Sequence, residues 1–167
     1  TSAFVMMVVP REKREDLMDT VDLLGSIRPG RARWSLFFPF IGTRAYEIAK
    51  ESGQIDFKTI DLLDNFFDES CMKIGADEDL LVKKMKEFFC LYLNARGGTE
   101  ENGRYAGLVQ RLESLDDEAF EAEKAGIRRE MEAIDRKMEE SGKAYYMVKY
   151  NPFMAVRSDW KDDSPSA

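Results

Sequence analysis

RPGRARWSLFFPFIGTRAYEIAKESGQI, residues 28–55, decides how the rest of the chain is read. The apolar run Trp34 to Phe40 is short and rich in aromatics, the pattern of a buried strand rather than of a buried helix. It runs into Pro39-Phe40-Ile41-Gly42-Thr43, a cluster of breakers. Tyr46, Ala49 and the stem of Lys50 then recur at helical spacing, with Thr43 placed to cap the first turn and Gly53 to close the last. The unit is strand, tight turn, helix. Such a turn leaves the carboxyl end of a strand and enters a helix N-terminus, where α/β proteins commonly bind ligands with free N–H groups.

The same grammar precedes it. Phe4-Val5-Met6-Met7-Val8-Val9 is continuously apolar, as expected of a parallel strand covered on both faces, and Pro10 ends it. Leu17, Val21 and Leu24 mark one face of a helix over Lys13 to Leu24, and Gly25, Pro29 and Gly30 form the return loop. Residues 3 to 53 thus spell strand-helix-strand-helix, two parallel strands joined by a right-handed crossover. The strand-like run opens within two residues of Thr1, which is expected of a cut end.

From Ile55 onward the pattern becomes helical. Ile60, Leu63, Phe66 and Phe67 suggest a short amphipathic helix. The acidic Asp77-Glu78-Asp79 after Gly75 suits a helix N-terminus, and Leu81, Met85, Phe88, Phe89 and Tyr92 give an apolar stripe that stops at Gly97-Gly98. Tyr105, Leu108, Val109 and Leu112 mark another helix. Asp116-Asp117 start a third, in which Phe120, Ile127, Met131, Ile134 and Met138 form the stripe, Gly142 ends it, and charges of alternating sign favour near-neighbour pairs along the helix. Tyr145 to Val156 has strand composition interrupted by Asn151-Pro152, which points to an edge strand or an extended segment rather than a central strand. Residues 161–167 read as a disordered tail.

Composition limits the chemistry. Of the 167 residues 44% are hydrophobic and 34% charged, the range of a soluble globular chain. A net charge of −7 disfavours a nucleic-acid backbone as partner, Arg28, Arg31 and Arg33 forming the one local basic cluster; these three either hold an anionic group of a substrate or belong to a solvated loop. No apolar run reaches the length of a membrane span. Cys71 and Cys90 are too few and too distant for a disulfide framework or a metal cluster, so both are expected to be reduced, small apolar residues in a cytoplasmic setting. The absence of histidine removes the commonest general base and metal ligand.

Residues 28–55 also resemble the last strand-turn-helix unit of radical S-adenosylmethionine enzymes, particularly their cobalamin-dependent branch, in which Pro-Phe-Pro-Gly-Thr follows the strand and Tyr-Glu follows the Thr. Phe38, Pro39, Phe40, Gly42, Thr43, Tyr46 and Glu47 fit that pattern, and Ile41 replaces the second proline. Residues 1–24, TSAFVMMVVPREKREDLMDTVDLL, resemble the preceding unit, whose strand ends in Gly-x-Pro-Gly-Glu-Thr. Pro10 and Glu12 match; Val8 and Arg11 stand where the family has glycines, and Lys13 where it has threonine. Side chains at Val8 and Arg11 are expected to crowd the approach that glycine allows a ligand. NFFDESCMKIG and KYNPFMAVRSDW are similar to parts of the branch's C-terminal extension.

The resemblance implies an α/β fold: residues 1–54 as the last strand-helix units of a partial (β/α) barrel, and 55–160 as a mostly α-helical extension. It implies S-adenosylmethionine as cofactor, bordered by Val8, Pro10, Glu12, Phe38, Pro39 and Phe40, with Glu12 either bonding the nucleoside or serving its own helix electrostatically, and the 38–43 turn either bordering the adenine or only packing. A 4Fe-4S cluster needs three cysteine thiolates that this chain lacks, so the cluster ligands, and any cobalamin, would belong to the missing N-terminal half of the same enzyme. The substrate is left open. The rival reading is a non-catalytic scaffold in which the Phe120 to Met138 stripe docks a partner.

Overall fold

The computed structural model of the chain describes residues 1–60 and 69–161. Strand β1 (Ser2–Met7) leads through helix α1 (Arg14–Ile27) to β2 (Arg31–Leu36) and helix α2 (Arg44–Glu51). A single turn, α3 (Phe57–Ile60), precedes the described helices α4 (Ala76–Asn94), α5 (Glu100–Ser114) and α6 (Asp117–Glu140), and the chain closes with β3 (Tyr146–Val148) and β4 (Met154–Arg157). The expected helix using Leu63, Phe66 and Phe67, and all of the tail but its first residue, lie outside the described residues. No helix among the described residues is long and apolar enough to cross a membrane.

The strand-helix-strand-helix order holds, and β1 and β2 are parallel, with Phe4 opposite Arg33 and Met6 opposite Ser35. Two expectations about these strands are corrected. Among the described residues only one face is covered: Val5, Met7, Ala32, Trp34 and Leu36 are buried, whereas Phe4 is 80% and Met6 55% exposed. An unbroken apolar run in β1 therefore serves one helical layer and leaves its other side chains facing out, because successive side chains point to opposite faces. β2 also begins at Arg31 and stops at Leu36, so Arg31 and Arg33 belong to a strand rather than a loop, and Phe37 to Phe40 belong to the turn. Gly25 falls inside α1, which ends instead at Arg28 in the left-handed region (φ 44°).

The C-terminal segment corrects a third expectation. Asn151-Pro152 does not interrupt a strand but sits in the turn of a hairpin whose second strand, β4, pairs antiparallel with β2, giving the order β1-β2-β4-β3. β4 is thus an interior strand, and the sheet draws on both ends of the sequence. Two features hold the hairpin in place. The Asn94 side chain accepts from the Tyr146 N–H (2.7 Å) and donates to the Tyr146 carbonyl (2.9 Å), a side-chain amide standing in for a neighbouring strand. Trp160 lies against Gly30, where a Cβ would come within 1.7 Å of the indole, and stacks under the Arg31 guanidinium.

Three helix starts carry side-chain caps, those at Thr43 and Asp116 as the sequence predicts. Thr43 accepts from the Tyr46 N–H (3.1 Å), Thr99 from Asn102 (3.4 Å) and Asp116 from Ala119 (2.8 Å), so each hydroxyl or carboxylate satisfies a helix-start donor. The stripe of α6 is spent within the chain: Phe120, Ile127, Ile134 and Met138 are buried and Met131 is partly buried against the same core, with α6 packed on α5 and α4. This overturns the expectation that the stripe docks a partner. Ion pairs on α6 mostly reach neighbouring helices, as Arg128–Glu87 (2.8 Å) and Arg111–Glu130 (2.8 Å) do; Lys124–Glu121 (2.7 Å) runs along the helix.

Candidate functional site

Parallel neighbours bring the turns after β1 and β2 to the same end of the sheet, and a hydrogen bond from the Phe37 N–H to the Met7 carbonyl (2.8 Å) ties them together. The first turn has an uncommon backbone. Val8 and Arg11 have φ of 68° and 69°, in the left-handed region that glycine enters freely and a β-branched residue rarely does. Both are the positions where the resemblance has glycine. Val8 is 1% exposed and packs in the core, whereas Arg11 is exposed, so the crowding expected of Val8 is avoided by burying its side chain.

Glu12 is what the turn closes around. It is 8% exposed, and its Oε2 accepts from the Val8 N–H and, at 3.3 Å, the Val9 N–H. Burial pushes its pKa above the usual carboxylate value, the two backbone donors oppose that shift, and nearby Asp16 adds to it. The remaining donors are also engaged. The Arg11 N–H reaches Gln54 Oε1 (3.0 Å), the Glu12 N–H the Val9 carbonyl (3.0 Å), and the Lys13 N–H Asp16 Oδ2 (2.9 Å), while Pro10 has none. From Val8 to Lys13, then, every N–H has an acceptor within the chain. The turn cannot cradle an anion with its N–H groups.

The second turn is hydrophobic. Pro39 is buried, Phe38 and Phe40 have ring centroids 4.9 Å apart, and Phe40 (58%) and Ile41 (82%) are exposed. Thr43 donates its hydroxyl to the Phe40 carbonyl (2.7 Å) while capping α2, which fixes the turn to the helix. All six residues read as cofactor neighbours, Val8, Pro10, Glu12, Phe38, Pro39 and Phe40, therefore fall on two adjoining turns. Gln54 joins them unexpectedly: it lies just beyond α2, and no periodicity in the sequence marks it.

The cysteines do not fit a cluster. Cys71 and Cys90 are 0% and 3% exposed, burial pushes both thiols up, and no group of three His, Cys, Asp or Glu able to hold a metal occurs among the described residues. A search of protein-family models, of curated proteins and of solved structures finds no match to this sequence or fold.

Proposed function

We propose that the chain is the C-terminal portion of a radical S-adenosylmethionine enzyme, of the cobalamin-dependent branch, in which residues 1–54 supply the last strand-helix units of a partial barrel. The observation that carries this reading is the pair of left-handed residues, Val8 and Arg11, at the two positions where the family pattern has glycine. A strained conformation kept after the glycine is gone means that the surrounding structure still dictates the turn. The uncovered sheet face with Phe4 and Met6, and β1 standing at the sheet edge, support the same reading: a barrel interior and a further parallel strand would cover both.

In such an enzyme the cofactor, bound at the cluster, supplies a 5′-deoxyadenosyl radical for hydrogen abstraction or methyl transfer. This chain's part is positional. The carbonyls of the Val8 to Glu12 turn accept from the nucleoside's amino group, Phe38 and Phe40 shield it from water, and Glu12 holds the turn in shape. The missing N-terminal half contributes the cluster, and the setting is cytoplasmic. The test is the intact mass of the natural polypeptide followed by its iron content under anaerobic conditions. A chain longer than these 167 residues with about four irons per molecule supports the proposal; a 167-residue polypeptide without iron refutes it.

A second reading is favoured by one observation, the complete internal use of the turn's N–H groups. In it the same fold persists as a non-catalytic scaffold, and S-adenosylmethionine shows no binding to the natural polypeptide by equilibrium dialysis.

A further inference from the structure

The two flanks of α1 are unlike. Leu17, Val21 and Leu24 face the core, and on one side of them Arg14 reaches Glu113 on α5, Asp22 reaches Arg96 just past α4, and Gly25 lies against Arg96. Helical spacing puts Asp16, Leu23 and Ile27 on the other side, where Leu23 is 59% and Ile27 56% exposed. Because α4 packs on both α1 and β3, it lies beneath the hairpin side of the sheet. The bare flank of α1 therefore lies beneath the rim formed by β1. That rim is apolar in two layers, Phe4 and Met6 above and Leu23 and Ile27 below, and β1 itself carries no charged residue.

The backbone of the rim is open to pairing. The Thr1 carbonyl accepts from the Gly30 N–H (3.0 Å) and the Met7 carbonyl from the Phe37 N–H (2.8 Å), so both face β2. Main-chain groups alternate sides along a strand, which turns the N–H and C=O of Ser2, Phe4 and Met6 outward. No strand among the described residues pairs with them.

We infer that this rim is an interface for a second copy of the chain, β1 pairing antiparallel with β1 of the copy about a two-fold axis at Phe4. Phe4 then faces its own counterpart and Ser2 faces Met6 of the copy, so all three outward residues pair, with about six hydrogen bonds. An axis at Val5 would instead set Ser2 against Val8, whose N–H is bonded to Glu12 and whose φ of 68° has left the strand. With strands about 4.8 Å apart and α1 beneath the β1–β2 pair, the two α1 axes lie about 10 Å apart, the spacing of packed helices, which closes Leu23 and Ile27 against the copy. Charge selects the same occupant. The two α1 helices run antiparallel, so Asp16 in the acidic first turn of each lies beside the end of the other that carries exposed Arg28. Because the same surface is used on both sides, assembly closes at two copies. A rim about 20 Å long and two layers deep buries on the order of 500 Å² per copy, short of the about 800 Å² of a standard interface, which sets a dissociation constant on the order of 10 µM. The inference does not rest on the enzyme reading, in which a preceding strand takes this rim and excludes the copy. Intact mass and iron decide that reading, and the oligomeric state of the 167-residue chain decides this one.

Sedimentation equilibrium of the 167-residue chain is expected to show monomer and dimer exchanging near that constant. Phe4→Lys and Phe4→Glu, at a position 80% exposed in the single chain, keep the helical circular dichroism and each weaken association about tenfold, because like charges meet on the axis; mixed in equal amounts, the two variants associate again. Leu23→Lys weakens the dimer from the helical layer. Amide exchange at Phe4 and Met6 slows as concentration rises, which a contact between two open sheet faces would not produce. A chain still monomeric at about fifty times the expected constant, charged variants that fail to associate on mixing, or Phe4 and Met6 amides whose exchange ignores concentration, overturns the inference.

Discussion

Arg11→Gly should stabilise this protein, although glycine at an exposed position ordinarily does the opposite. Arg11 holds φ at 69°, a conformation that costs an L-residue about 1–2 kcal/mol because its Cβ crowds the following carbonyl. Glycine relieves that strain but loses about 0.5–1 kcal/mol more chain entropy on folding. The difference leaves the variant about 0.5–1 kcal/mol more stable, or a melting temperature higher by about 1–4 °C for a chain of this size. The Arg11 N–H, bonded to Gln54, is untouched by the exchange. Arg11→Ala is the comparison, since it removes the same side chain but keeps the Cβ. Val8→Gly behaves differently, because the strain relieved there is outweighed by about 1.5–3 kcal/mol of lost valine burial. Urea unfolding of the three variants beside the parent measures all of this. If the glycine variant at position 11 is less stable than the alanine variant by about 0.5–1 kcal/mol, as at an ordinary exposed site, the left-handed turn and the argument built on it are wrong.

Three more outcomes follow from named contacts. Glu12→Ala orphans the Val8 and Val9 donors and is expected to cost about 2–4 kcal/mol in urea unfolding, whereas Glu12→Gln, which keeps an acceptor, costs less than half of that; equal losses would mean that the carboxylate's bonds are not what holds the turn. Asn94→Ala leaves the Tyr146 N–H and carbonyl without their partner and is expected to cost about 2–4 kcal/mol, with amide exchange quickening first in β3. Asp135 is pushed up to about 6, mainly by burial, with the Tyr105 hydroxyl bond (2.7 Å) opposing the rise. Its raised value means that the folded state holds a proton the unfolded chain releases, a contribution to stability complete below the ordinary 3.8 and lost as pH rises through about 6. Tyr105→Phe removes the opposing bond, so the Asp135 carboxyl signal should titrate higher by NMR; an unmoved midpoint would refute the assignment.

The sequence was most legible where chemistry is local. Thr43 and Asp116 cap as their neighbours require, and the stripe from Phe120 to Met138 follows a helical period that the fold buries. It misled where one pattern serves two burials. The run Phe4 to Val9 has the composition of a doubly covered strand, and nothing in it marks Phe4 and Met6 as the face left open. Asn151-Pro152 reads as an interruption until the partner of each flanking strand is known, because a hairpin turn and a broken strand carry the same residues. In the candidate site, the six residues could be named from their resemblance to a motif. Gln54 could not, since its contact with Arg11 depends on how α2 packs and not on any spacing.

The two rims of the sheet are unlike. On one side β3 has only three residues, is followed by Lys149 and a proline-containing turn, and so offers little backbone for another strand to join. On the other, the six residues of β1 present a full ladder with no blunting charge or proline. Of the two rims, β1 is therefore the better template for backbone pairing. Because β4 enters antiparallel beside β2, the hairpin occupies the side of β2 away from β1, and the parallel pair can be extended by a further parallel strand only at β1.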